Sequence, residues 1–346
     1  MAEDGRSRRP RRIILVRHGE SEGNVDSKKY CDIADPKIRL TEAGANQAKE
    51  CGEKIRDMIK TQSEDDEWLV YFYVSPYTRT LCTLKEIGRA FESDKKHIVG
   101  VREEPRIREQ DFGNFQETHK ITAVKKERQR FGRFFYRFPE GESAADVFDR
   151  VTSINPIHFL ASKISCSGEA EKCCASLHRY RLCFLESLWR DIDMNRLHKP
   201  SSTKTLEVNL VIVSHGVTMR VFLMRWFKWT VEQFEKLNNP KNCEVRVMEL
   251  GEGEEYSLLV HHTQEELEEW GLDVDMIKDQ EQRKHGKRGD MNGLEPGDEW
   301  PRSGFQFFEN HEETSFLNRE LEQCEAEQMA TDEENYFLVD GSVRGG

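Results

Sequence analysis

Residues 12–24 read RIILVRHGESEGN, and the reading of this stretch decides the fold. Ile13, Ile14, Leu15 and Val16 form an unbroken apolar run, the pattern of a strand buried on both faces. The run gives way at once to Arg17, His18, Gly19 and Glu20, so polar chemistry begins where the strand stops. Ligands of open α/β sheets bind at that carboxyl edge. A guanidinium beside an imidazole is suited to holding and attacking a phosphoryl group. Taken alone, the pair reads rather as a surface histidine next to a helix-capping glutamate.

The same arrangement recurs further along. Asn209 to Val213 is a second buried strand and delivers Ser214, His215 and Gly216 at its end, followed by a strongly apolar helix from Val217 to Trp229. Trp68 to Val74, dense in aromatic and β-branched residues, is a third strand that stops at Ser75-Pro76, where proline ends the pairing. Arg79 then opens a helix, and its charge together with the helix N-terminus favours a phosphate. Leu40 to Ile59 reads as an amphipathic helix with Thr41 as N-cap, and residues 61–67 as a polar loop. Lys241 to His262 reads as a hairpin about Gly251-Glu252-Gly253, with His261 and His262 at a strand end rather than as ligands. Thr263 and Glu266 form a capping box for a short helix. Strands at 12–17, 68–74 and 208–213 plus the hairpin predict a three-layer α/β/α sandwich around a mixed, mostly parallel sheet.

Arg17-His18-Gly19-Glu20-Ser21 with Asn24 resembles the signature of the histidine phosphatase superfamily, the phosphoglycerate mutase-like proteins, in a plant-like, broad-specificity phosphatase form. Further matches follow in order: Leu40-Thr41 with Gly44, Gln47 and Ala48; Ser75-Pro76 with Arg79, Thr80 and Thr83; Glu109 with Phe112-Gly113; and Ser214-His215-Gly216. The likeness covers about residues 12–262. It implies catalysis by His18, Glu109, His215, Arg17 and Arg79, and substrate binding by Arg17, Asn24, Arg79 and His215. Neutral His18 would attack phosphorus through one ring nitrogen, its other nitrogen held by a backbone carbonyl, while Glu109 serves as acid and then base. From composition alone any of Glu103, Glu104, Glu109 and Asp111 could fill that last role; the resemblance singles out Glu109. It implies a small phosphorylated substrate, no cofactor and no metal. The segment from Glu109 to Gly141 is shorter than a mutase cap, with Lys125-Lys126 where a mutase arginine pair is missing, which favours a phosphomonoesterase over a mutase. A non-catalytic scaffold is the reading of another class.

Composition sets the bounds. Of 346 residues, 34% are charged, the mean hydropathy is -0.77, and no apolar run approaches a membrane span. The opening 1–11 is arginine-rich, with no apolar stretch of a secretory signal, and reads as a disordered basic tail rather than a nucleic-acid arm. The net charge of -12 is uneven: residues 263–346 carry 23 acidic and 8 basic side chains, leaving +3 on residues 1–262, as suits an anionic substrate. That C-terminal part reads as an acidic, largely disordered tail with a short helix near 264–277, open to a protein partner. Nine cysteines without paired spacing indicate free thiols in a reducing, cytoplasmic setting, and Cys166, Cys173, Cys174 and His178 fit no usual zinc spacing. Residues 119–138 interleave basic side chains with Phe131, Phe134, Phe135, Tyr136 and Phe138, the pattern of a lid helix and of a substrate mouth alike.

One segment breaks the pattern. Val147, Phe148 and Val151 start an apolar stripe that Ile154-Asn155-Pro156 interrupts, yet joining Ser153 to Phe184 restores it through Leu185, Leu188, Trp189 and Ile192. Thirty residues at about 100° each would leave the two halves about 120° out of phase, so residues 154–183 must loop out. They read as an insertion in the 12–262 domain, either foreign to the fold or a genuine surface excursion. If foreign, deleting 154–183 leaves the thermal midpoint equal or higher; a markedly lower midpoint shows that these residues belong to the fold.

Overall fold

A computed structural model of the chain describes residues 9–61, 63, 67–113, 118–152, 183–197 and 206–286. Six strands form one sheet in the order β3-β2-β4-β1-β5-β6: β1 Arg12–Arg17, β2 Trp68–Val74, β3 Ile98–Glu103, β4 Glu207–Ser214, β5 Val245–Leu250 and β6 Tyr256–Ser257. The first four in that order of pairing are parallel, and β5 and β6 are antiparallel. The expected mixed, mostly parallel sandwich is what the chain adopts.

The apolar runs make it three-layered. Alternate side chains leave a strand on opposite faces. Ile14 and Val16 therefore join Trp68, Val70, Phe72, Val211 and Val213 against the helices Glu42–Thr61 and Thr78–Ala90, burying Cys51, Ile55, Ile59 and Ile87. Ile13 and Leu15 face the other way, with Leu69, Tyr73, Leu210 and Ile212, onto the helices Ala144–Thr152, Phe184–Asp193 and Gly216–Phe227. The stripe residues Val147, Val151, Phe184, Leu185, Leu188 and Ile192 are all buried in this second cluster. Trp189 is not: it is 36% exposed and stacks on Trp226, with ring centroids 5.1 Å apart.

Several boundaries differ from the sequence reading. β3 goes unread because it is an edge strand, its side chains half-buried or exposed, with Gly100 inside it. The N-terminal arginines are partly structured: Arg9 donates to the Glu254 carbonyl at 3.0 Å, Arg11 pairs with Glu207 and Glu249, and Arg12 is fully buried against Glu249 at 3.0 Å. At the other end the domain runs beyond 262. Helices Gln264–Glu269 and Val274–Lys284 bury Leu267, Trp270, Leu272, Met276 and Ile277 on the body. Polar residues do part of this packing: Gln280, 0% exposed, accepts from Leu258 N at 2.9 Å through its side chain and from Ser257 Oγ at 2.7 Å through its carbonyl. A reading keyed to apolar spacing passes over such a face. The presumed insertion lies outside the described residues except for Cys183, which is buried and caps the Phe184–Asp193 helix by accepting from Glu186 N. Cys166, Cys173, Cys174, His178 and residues 287–346 also lie outside them. Among the described residues no helix is long and apolar enough to cross a membrane.

The basic, aromatic segment also divides differently. The helix Thr118–Phe131 ends before the later aromatics; Phe134 and Phe138 are buried, while Phe131 and Phe135 are 63% and 67% exposed. Phe138 meets Phe112 edge-on at 5.0 Å. Phe138→Ala is expected to cost about 3–5 kcal/mol and Phe131→Ala less than about 0.5 kcal/mol, as measured by denaturant unfolding.

Candidate active site

Register brings the polar strand ends together. Arg17 of β1 lies opposite Ser214 of β4, and Val74 of β2 opposite Val213, so His18, His215 and Ser75 leave the sheet side by side. The His18 amide donates to the Ser214 carbonyl at 3.0 Å and Ser75 N to Val213 O at 3.1 Å. The two imidazole centroids are 5.3 Å apart.

The loop after β1 is held from several directions. Gly19 N donates to Thr83 Oγ1 at 3.0 Å and Glu20 N to Gln47 Oε1 at 2.9 Å, while Thr41 caps its helix by accepting from Gly44 N at 3.0 Å. A Cβ on Gly19 would meet the Gly44 carbonyl oxygen at 2.4 Å, and one on Gly44 would meet the Glu20 carbonyl oxygen at 2.0 Å, so both positions require glycine. These contacts account for Thr41, Gly44, Gln47 and Thr83 among the residues that carried the resemblance.

The protonation pattern follows from partners and burial. His18 Nδ1 lies 2.8 Å from the Gly19 carbonyl, which can only accept, so Nδ1 carries the proton and Nε2 the lone pair. Burial, then the positive charges of Arg79 and Arg17, push the His18 imidazole well below its usual value and keep it neutral. His215 is also lowered well below its usual value, by burial first and then by Arg79, His18, Arg150 and Arg17. Its Nε2 meets Ser75 Oγ at 2.8 Å, and its Nδ1 lies 3.7 Å from Glu109 Oε2. Burial raises the Glu109 carboxyl, against the opposing pull of Arg79 and the Gln110 amide.

Arg17, His18, Asn24, Arg79 and Glu109 line one cavity of about 980 Å³; His215, fully buried, stands behind His18 and Glu109. All the residues singled out in sequence are therefore gathered in one place. Arg79 binds Asp35 through Nη1, at 2.6 Å to Oδ1 and 2.9 Å to the carbonyl, and Arg17 donates from Nη1 to the Pro240 carbonyl at 2.6 Å. Yet Arg17 Nε, Arg79 Nε and His215 Nδ1 are buried without a hydrogen-bond partner among the described residues. A buried donor left unpaired costs about 1–3 kcal/mol, and an anion between these groups would satisfy them. His18, Glu109 and His215 also offer ligand atoms within 4.8 Å of one another, a set that could hold a metal ion. Two guanidiniums in the same cavity oppose a dication and favour an oxyanion.

The wall holds residues that local pattern did not single out. Asp35, Tyr30, Tyr77 and Arg220 line it, and beside them stand Arg128 and Arg133 of the basic, aromatic segment whose sequence already reads as a lid or a substrate mouth. Arg220 bonds only weakly to the main-chain carbonyls of Gly216 and Leu237, at 3.4 and 3.3 Å, and burial pushes it down to about 9. A cation inside the apolar Val217–Trp229 segment was the available signal for it.

The sequence profile of the histidine phosphatase superfamily (branch 1) matches residues 13–156 and 194–286. Phosphoglycerate mutase-like protein AT74 of Arabidopsis thaliana is 57% identical over 282 residues, covering 81% of this chain and 78% of that protein. Phosphoglycerate mutase-like protein AT74H of the same plant is 54% identical over 282 residues, covering 81% and 88%. Broad-range acid phosphatase DET1 of Saccharomyces cerevisiae is 30% identical over 325 residues, covering 70% and 86%. With two thirds of its length matched by the profile and its polar strand ends meeting at one anion-suited cavity, the chain belongs to the histidine phosphatase superfamily.

Proposed function

We propose that this protein is a metal-independent phosphomonoester hydrolase that acts on a small phosphorylated substrate through a phosphohistidine at His18. The carrying observation is the His18 Nδ1 contact with the Gly19 carbonyl, which leaves Nε2 as the lone-pair nitrogen beside the buried, unpaired Arg17 and Arg79 Nε–H groups. The Nε2 lone pair attacks phosphorus, the bond from phosphorus to the ester oxygen breaks, and Glu109 gives its proton to the leaving oxygen. Water then attacks the phosphohistidine, Glu109 takes the proton, and orthophosphate leaves. Arg17, Arg79, Asn24 and His215 stabilise the charge on the non-bridging oxygens. The yeast relative's description as an acid phosphatase supports hydrolysis, whereas the mutase-like names of the plant relatives support phosphoryl transfer between positions of a sugar acid as the second reading. Nine cysteines without paired spacing suit the reducing, cytoplasmic setting that we assign to this reaction.

His18→Ala is expected to abolish aryl phosphate hydrolysis, and the parent enzyme to keep its activity in EDTA, with orthophosphate release from 3-phosphoglycerate far exceeding formation of 2-phosphoglycerate. Isomer formation faster than phosphate release reverses the choice between the two readings.

The pH dependence has a defined sign. His18 must be neutral to attack, and its lowered pKa confines the acid limb of kcat/KM to pH well below 6.5. Glu109 must be protonated to act as acid, and burial, which raises its pKa, moves the alkaline limb up from the usual carboxylate range. Glu109→Gln is expected to remove that alkaline limb and to lower kcat/KM about 10²–10⁴-fold on an alkyl phosphate, and less on p-nitrophenyl phosphate, whose leaving group needs no proton. A profile unchanged by the substitution removes Glu109 from the acid role.

A further inference from the structure

Asn242 lies in the loop that leads into β5, at the start of the segment read as a hairpin and in none of the matches that carried the resemblance. Its Nδ2 donates to the main-chain carbonyl of His18 at 3.2 Å and to Asn24 Oδ1 at 3.1 Å. A main-chain carbonyl can only accept, so the orientation of the Asn242 amide is fixed by its partner rather than by choice. The orientation of Asn24 is fixed in the same way: its Oδ1 accepts from the Ser21 amide N–H at 3.1 Å, and from Ser21 Oγ at 3.1 Å. With its oxygen committed to Ser21 and Asn242, Asn24 has its NH₂ group left to present to the cavity that it lines.

The rest of this loop is built to the same end. Pro240 supplies the carbonyl that receives Arg17 Nη1 at 2.6 Å, and Cys243 N donates to the His18 carbonyl at 3.3 Å. Cys243 has φ +53°, a left-handed conformation that the Cβ of an L-residue resists, and this turn lets the Asn242 side chain and the Cys243 amide meet one carbonyl. Arg17, His18 and Asn24 are thus all gripped from a segment more than 200 residues away in sequence.

We propose that Asn242 is a positioning residue: it ties the backbone of the nucleophile to the side chain of Asn24, so that the Asn24 NH₂ and His18 Nε2 address the same phosphoryl group. The inference rests on the phosphotransfer reading of the site. Asn242 touches no reacting atom and acts through Asn24 and His18.

A double-mutant cycle on the full chain tests it, with p-nitrophenyl phosphate kinetics and orthophosphate affinity by calorimetry measured for the parent, Asn24→Ala, Asn242→Ala and the double variant. Each single substitution is expected to lower kcat/KM and phosphate affinity by roughly tenfold, and the double variant to be little worse than the worse single, because the two residues act as one unit. Asn242→Asp, which turns a carboxylate toward two oxygens, is expected to fall below Asn242→Ala at an unchanged thermal midpoint. Multiplicative losses, or an Asn242→Ala enzyme with parental kinetics and affinity, overturn the proposal. Since calorimetry needs no turnover, a parent protein that binds orthophosphate but hydrolyses no ester overturns the hydrolase reading, while the four affinities still decide the coupling between Asn24 and Asn242.

Discussion

Parallel pairing of β1 with β4, with Arg17 opposite Ser214, is the interaction on which the site depends. Both strands are buried, so a slip of one residue would turn Ile13 and Leu15 onto the face now filled by Ile14 and Val16. The core therefore holds the register, and the register sets two histidines 5.3 Å apart at the sheet edge. β2 extends the same alignment and supplies Ser75 to His215 at 2.8 Å.

Burial that stabilises the sheet also determines the chemistry at its edge. His18, His215 and Arg79 are 2%, 0% and 2% exposed, and an imidazolium so enclosed beside guanidiniums is disfavoured twice, by lost solvation and by like charge. A neutral His18 and a Glu109 carboxyl raised by burial arise from one environment, which sets opposite protonation preferences side by side. Arginine keeps its charge under the same burial because its intrinsic pKa is so high. The cavity thus keeps charged guanidiniums beside a neutral His18.

Much of this was legible in the order of residues. The apolar runs at Ile13–Val16 and Leu210–Val213, each ending in a histidine, pointed to a sheet with its chemistry at one edge, and Arg79 at a helix start pointed to the same ligand. The regions that were misread share a cause. β3 is an edge strand whose short apolar run is broken by Gly100 and nowhere fully buried; Gln280 and Arg283 are buried polar residues, so the periodicity that marks a helix face is not hydrophobic there; and Arg11 looks like part of a solvated charge run although Glu207 and Glu249 draw it inward.

The sequence by itself determined the strand ends and the residue types that meet there, because period and burial are written locally. Only the tertiary structure decided that the Gly19 carbonyl holds the His18 proton, that Asp35 engages Arg79, that Asn242 braces Asn24 and that the domain closes with helices beyond residue 262. Each of these depends on desolvation or on a hydrogen bond to a partner distant in the chain or on a polar packing face, and no local spacing of residues records such a relation.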